Sequence, residues 1–162
     1  MAKDQVTLDR IKLVHPNLVV EVGEIYDEIC KALTGEVFCR FAYTLRTFKE
    51  QADLYAIGRT KPGRKVTQAG PGLSMHNYGL AVDIVLIKGS SASWETEKDF
   101  DKDGKADWKE IVTIFKQYGW VWGGDWKFVD KPHFEKPLGY SVRELLALHT
   151  NKSFDSKGYV LI

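Results

Sequence analysis

The sequence has almost no surplus of either charge: 23 lysines and arginines stand against 22 aspartates and glutamates, a formal net charge of +1 over 162 residues. Without a basic excess, the non-specific attraction to phosphate that drives nucleic-acid binding has no source, so nucleic acid is not an expected partner. Long apolar runs are missing too. No stretch approaches the roughly 20 apolar residues a membrane span needs, and Met1–Arg10 is too polar to form the apolar region of a signal peptide. Membrane insertion is therefore not expected, and synthesis as a soluble cytoplasmic protein is. Cysteine is scarce: Cys30 and Cys39, each among apolar neighbours, make no disulfide framework and read as reduced core thiols. Repeats, linkers and low-complexity tracts are absent, so 1–162 reads as one domain, expected as a monomer, with 44% hydrophobic residues to fill its core.

Apolar residues Leu18, Val19, Val22, Ile25, Tyr26, Ile29 and Leu33 recur at helical spacing until Thr34-Gly35 stops them. Val37–Phe41 reads as a strand, and Thr47-Phe48-Lys49-Glu50 is a capping-box spacing that opens a second helix ending near Gly58. Arg46 then sits at a strand-to-helix junction. Arg59–Ser74 has no period and reads as a long loop, a feature that is often functional in a compact domain. Leu80–Ile87 reads as a buried strand, Gly89–Lys98 as a polar connector, Trp108–Tyr118 as a helix and Trp120–Glu135 as short strands and turns. A last capping box, Ser141 to Glu144, starts a helix through His149. This mixed order favours α+β, a small antiparallel central sheet flanked by helices, over a doubly wound α/β sheet.

Two short segments carry the chemistry. Ser74-Met75-His76-Asn77-Tyr78-Gly79-Leu80-Ala81-Val82-Asp83 sets a histidine seven residues before a carboxylate. Extended, that separation spans about 23 Å, whereas two atoms each about 2 Å from one zinc lie no more than about 4 Å apart. Sharing a metal requires a chain reversal, for which Asn77-Tyr78-Gly79 has the residues. In Asp130-Lys131-Pro132-His133-Phe134-Glu135 a histidine follows an acid by three, with Pro132 fixing the backbone between them. Two nitrogens and one carboxylate would leave a fourth position open, the pattern of a catalytic zinc. Taken singly, His76 or His133 reads more often as a structural histidine, in the core or on the surface.

The paired segments resemble the zinc D,D-peptidase and endolysin family, which includes D-alanyl-D-alanine carboxypeptidases and dipeptidases and phage L-alanyl-D-glutamate endopeptidases. The likeness extends to Leu45-Arg46-Thr47 with Glu50-Gln51, Leu54-Tyr55 and Gly58-Arg59-Thr60, and to Trp122-Gly123-Gly124-Asp125-Trp126 and Pro132-His133-Phe134-Glu135. It implies zinc on His76, Asp83 and His133, a catalytic carboxylate at Asp130, and peptidoglycan stem peptide as substrate. An aspartate at 130, where the carboxypeptidase branch usually has glutamate, points to the endopeptidase branch. Arg46 would then steady an oxyanion or hold a substrate carboxylate, its plainer alternative being a surface ion pair. Ser74 and Gln51 would bind substrate backbone or prop His76 and Arg46, and Trp126, with Trp122, would line the cleft or fill the core. His15 and His149 read as structural. The expected activity is an endolysin cutting between L-alanine and D-glutamate, made in a host cytoplasm and acting on the wall after release. The alternatives are a D-alanyl-D-alanine carboxypeptidase or dipeptidase, and a non-catalytic module that keeps the zinc fold.

A second metal motif stands apart. Asp99, Asp101, Asp103, Asp107 and Glu110 occupy positions 1, 3, 5, 9 and 12 of a twelve-residue calcium loop, with Gly104 at 6 and the Lys105 carbonyl at 7. A helix follows the loop, but no convincing helix precedes it, so it reads as an EF-hand-like insertion at 99–110. The plainer alternative is a solvated acidic turn.

Overall fold

The computed structural model describes residues 3–162. Helix α1 (Gln5–Ile11), which the apolar pattern does not announce, starts where Asp4 accepts a hydrogen bond from the Thr7 amide. The same carboxylate receives Nε and Nη2 of Arg40 at 3.0 and 2.8 Å. One short side chain thus caps the helix and ties it to the sheet. Helix α2 (Val19–Ala32) turns Val22, Ile25, Tyr26 and Ile29 inward, at the predicted 3.6-residue period.

Strand β1 (Val37–Tyr43) alternates, with Val37, Cys39 and Phe41 buried. It runs antiparallel to β2 (Ala81–Lys88), which is buried along most of its length. Helix α3 (Phe48–Ala56) begins on the expected capping box, Thr47 with Glu50, and ends before Gly58. The far edge of β2 is shared: β5 (His133–Glu135) pairs with residues 81–83, and β3 (Ser91–Ser93) with residues 86–88. A two-residue strand β4 (Val121–Trp122) closes the order β1-β2-β5-β4. The polar connector 89–98 therefore holds a short edge strand. Its serines carry no apolar alternation, so only pairing with β2 makes it a strand.

Helix α4 (Asp107–Gln117) buries Trp108, Ile111, Val112, Ile114 and Phe115 and packs on α2. Phe115 stacks on Phe134 of β5, centroids 4.1 Å apart, and faces Phe41 of β1 at 6.1 Å. Through those rings the core fixes the strands that carry the site. Helix α5 (Val142–Thr150) starts on the Ser141–Glu144 capping box. The fold is the expected small antiparallel sheet with flanking helices. Cys30 corrects one expectation: it is exposed, because it lies on the outer side of α2, while Cys39 is buried in β1. Among the described residues, no helix is long and apolar enough to cross a membrane.

Candidate active site

The reversal needed between His76 and Asp83 is a single 3-10 turn, Met75–Tyr78. Ser74 caps it, its Oγ accepting from the His76 amide, and the Asn77 side chain reaches back. Asn77 Oδ1 accepts from the amides of Gly72 and Ser74 at 3.0 and 3.2 Å, while its Nδ2 donates to the Arg46 carbonyl at 2.9 Å. The Arg46 amide in turn donates to the His76 carbonyl at 3.0 Å. Gly79 ends the turn at φ 70°, where an added Cβ would lie 2.5 Å from the His15 amide nitrogen. Only glycine meets both demands, and from it the chain enters β2. There Asp83 stands directly across from His133 of β5, so the two side chains share a face of the sheet.

His76 Nε2 and His133 Nδ1 each lie 3.1 Å from Asp83 Oδ1. One donor atom from each of the three residues can be chosen so that all lie within 4.8 Å of one another. Their outer contacts set the tautomers. His76 Nδ1 meets the Thr44 carbonyl at 2.7 Å, a contact that needs an N–H, so Nε2 turns a lone pair inward. That buried Nε2 has no hydrogen-bond partner, since its approach to Asp83 is close enough but poorly directed. His133 Nε2 meets Glu135 Oε1 at 2.8 Å, leaving Nδ1 for the interior. Two imidazoles oriented by outer acceptors, one carboxylate and an orphaned buried nitrogen fit a zinc ion with room for a further ligand.

The electrostatics follow from this crowding. Burial works to raise the Asp83 pKa, but the hydrogen bond from His133 and the close approach of the His76 imidazole outweigh it and hold the carboxyl far below its ordinary range. Burial would lower the His133 pKa, yet its bonds to Asp83 and Glu135 push it up to about 9. Asp130 is raised by burial and then by the Asp83 charge, against the pull of His133, His76 and Arg46. A carboxyl raised in this way accepts protons more readily than an ordinary aspartate.

All three residues line one cleft of about 990 Å³, together with Arg46, Ser74, Trp126 and Asp130. The structure therefore gathers these sequence-predicted residues at one place. Trp126 lies 5.2 Å from the His133 ring. Arg46 holds Nη2 4.0 Å from Asp83 Oδ2 and stacks over Tyr43 at 5.4 Å, which makes it part of the site and not a surface ion pair. Gln51 departs from the substrate-binding expectation. It is fully buried, with Oε1 accepting from Arg46 Nη1 at 3.1 Å and Nε2 donating to the Ala69 carbonyl at 2.8 Å. Both ends are taken, so Gln51 props Arg46 against the 59–74 loop. Trp122 is buried outside the cleft, its Nε1 donating to the Lys131 carbonyl. His15 is buried against Val160, and His149 stacks beside Phe48 and Phe154.

Thr44 and Glu135 were not singled out from the sequence. The Thr44 contact runs through a backbone carbonyl and leaves no trace in residue type. Glu135 did leave one: two residues past His133 in a strand, it shares that residue's face.

In the 99–110 loop the carboxylates of Asp99, Asp101 and Asp107 converge, as do those of Asp101, Asp103 and Glu110. Asp107 is fully buried with Oδ1 unpartnered, and Glu110 Oε2 is likewise without a partner. Burial, and then the neighbouring carboxylates, raise the pKa of both. The Lys105 amide donates to Asp103 at 2.8 Å, holding the loop closed near its seventh position.

Residues 67–136 match the family described as D-alanyl-D-alanine carboxypeptidase. The chain is 54% identical over 92 residues, 56% of its length, to the peptidoglycan L-alanyl-D-glutamate endopeptidase CwlK of Bacillus subtilis, of which it covers 55%. It is 34% identical over 93 residues, 57% of its length, to the L-alanyl-D-glutamate peptidase of Listeria phage A118, of which it covers 28%. The chain thus spans about half of the first relative and less than a third of the second. The crystal structure of the Serratia marcescens L-Ala D-Glu endopeptidase ChiX shares the fold, with a TM-score of 0.52 at 23% identity, over 80% of this chain and 85% of that one. The stretch matched by that family, residues 67–136, is the one that holds His76, Asp83, Asp130 and His133.

Proposed function

We propose that this chain is a zinc-dependent endopeptidase that cuts wall stem peptides between L-alanine and D-glutamate, acting as a single catalytic domain over 1–162 with a calcium-binding insertion at 99–110. One observation carries the reading: the donor atoms of His76, Asp83 and His133 converge in a cleft that also holds Asp130 and Arg46. Zinc on those three residues would polarise the scissile carbonyl and bring the pKa of a bound water toward about 7. Asp130 takes the proton from the attacking water and returns it to the leaving amine, a role worth about 10²–10⁴-fold. Arg46, held by Gln51 and Tyr43, presents its planar fork to the developing oxyanion or to a free carboxylate of the substrate. Ser74 and Trp126 flank the peptide. The names of the two curated relatives support the choice of bond. The calcium assignment is supported by the buried, unpartnered oxygens of Asp107 and Glu110 within the acidic loop. We place the action on peptidoglycan outside the cytoplasm, after release.

The name of the matching family favours a second reading, release of terminal D-alanine. Digestion of purified peptidoglycan followed by mass analysis separates the two. The endopeptidase generates fragments with a new N-terminal D-glutamate, and Asp130→Ala abolishes them. Released D-alanine would transfer the assignment to the carboxypeptidase, and no release by the zinc-loaded protein would leave a binding module.

A further inference from the structure

The loop between β4 and β5 leaves the cleft and comes back to it. Trp126 and Asp130 line the cleft, but between them Phe128 is 87% exposed and Val129 57%. The projection has a firm base. The amides of Asp130 and Trp126 donate to the Gly123 carbonyl at 2.9 and 3.3 Å, the His133 amide donates to the Asp130 carbonyl at 3.2 Å, and Trp122 Nε1 donates to the Lys131 carbonyl at 2.7 Å. Exposed Lys127 and Lys131 flank the tip. A phenylalanine exposed to this degree adds nothing to the core, and loops held on a rigid scaffold are where binding residues collect.

We propose that Phe128 and Val129, with Lys127 and Lys131, form a docking tip for the glycan strand from which the substrate peptide hangs. The proposal rests on the endopeptidase reading. A stem peptide bound at Asp130 is tethered to a sugar polymer, so that polymer must pass the rim of the cleft, and the tip is covalently continuous with that rim. An aromatic face stacks on the C–H faces of pyranose rings, and two lysines complement the carboxylates that the wall's peptides carry. The tip then favours polymeric wall over free peptide without taking part in the chemistry.

The test compares insoluble purified sacculi with a soluble stem peptide as substrates for the full zinc-loaded chain. Phe128→Ala is expected to lower the digestion rate of sacculi roughly tenfold and to leave kcat/KM on the soluble peptide within about twofold. Phe128→Trp should keep both activities, and Lys127→Glu with Lys131→Glu should add a loss on sacculi that salt in the buffer diminishes. Pelleting with sacculi in an Asp130→Asn background reads binding without digestion, and Phe128→Ala should reduce the bound fraction there too. Unchanged digestion and pelleting would overturn the proposal. Equal losses on both substrates would also overturn it, by placing Phe128 in the cleft chemistry. So would Phe128-dependent binding to anionic phospholipid vesicles in place of sacculi. If the wild type cleaves neither substrate, the endopeptidase reading falls, while the pelleting result still decides the tip.

Discussion

Each histidine of the metal triad gives one nitrogen to the site and the other to an acceptor behind it, and the two acceptors differ. Thr44 offers a neutral carbonyl, whereas Glu135 offers a carboxylate, so His133 without metal sits between two acids and stays protonated up to about pH 9. The folded value lies above neutrality, so a metal entering at neutral pH must displace the Nδ1 proton. Zinc uptake should therefore release about one proton, and affinity should fall by roughly tenfold per pH unit below 9, measurable by titration calorimetry in buffers of different ionisation enthalpy. Glu135→Gln keeps an acceptor for Nε2 but removes its charge; it should weaken zinc about 10–100-fold and lower the pH at which the proton leaves. Gln51 carries the matching lesson for Arg46. The family resemblance left it contact with substrate or support of Arg46, and burial with both ends bonded gives it to the guanidinium and to the Ala69 carbonyl. Sequence shows what a side chain can bond, and only packing shows what it does bond.

Most elements were legible because their signals are local. Helices α2 and α4 follow from apolar period, α3 and α5 from capping boxes at Thr47 and Ser141, and β2 from its buried run. The segments that were not legible depend on partners far away in the chain. Helix α1 buries only Thr7 and Ile11 and is held by the Asp4–Arg40 pair, and β3 exists only as an edge of β2. The register that sets Asp83 opposite His133 joins segments about 50 residues apart, which no local period encodes. The turn bearing Asp130 depends on close approach: a Cβ on Gly123 would lie 2.3 Å from the Asp130 carbonyl oxygen, and backbone on backbone cannot give way cheaply. Gly123→Ala should move Asp130 without touching the metal donors. The expected result is a loss of about 10²-fold in kcat with full zinc content, read by steady-state kinetics beside metal analysis.

Across the whole molecule the acidic loop and the His76–Asp83–His133 cluster are joined through the core. From the acidic loop, α4 runs inward through Phe115, which stacks on Phe134 beside His133. The loop also reaches the connection between α2 and β1, since Asp101 Oδ2 accepts from the Thr34 amide at 2.9 Å. Calcium would remove the mutual repulsion of five carboxylates gathered at the start of α4. Added calcium should raise the melting temperature of the wild type, and Asp101→Ala with Glu110→Ala should abolish that rise while zinc content stays whole. If calcium leaves wild-type melting unchanged, the loop is an acidic turn. The proposed chemistry requires that this chain prearrange a single zinc site from residues on two strands and one turn. Anomalous diffraction at the zinc edge from zinc-loaded crystals tests it most directly. The predicted result is a single peak bonded to His76 Nε2, a carboxylate oxygen of Asp83 and His133 Nδ1 at about 2.0–2.2 Å; a peak elsewhere, or none at those three atoms, would contradict it.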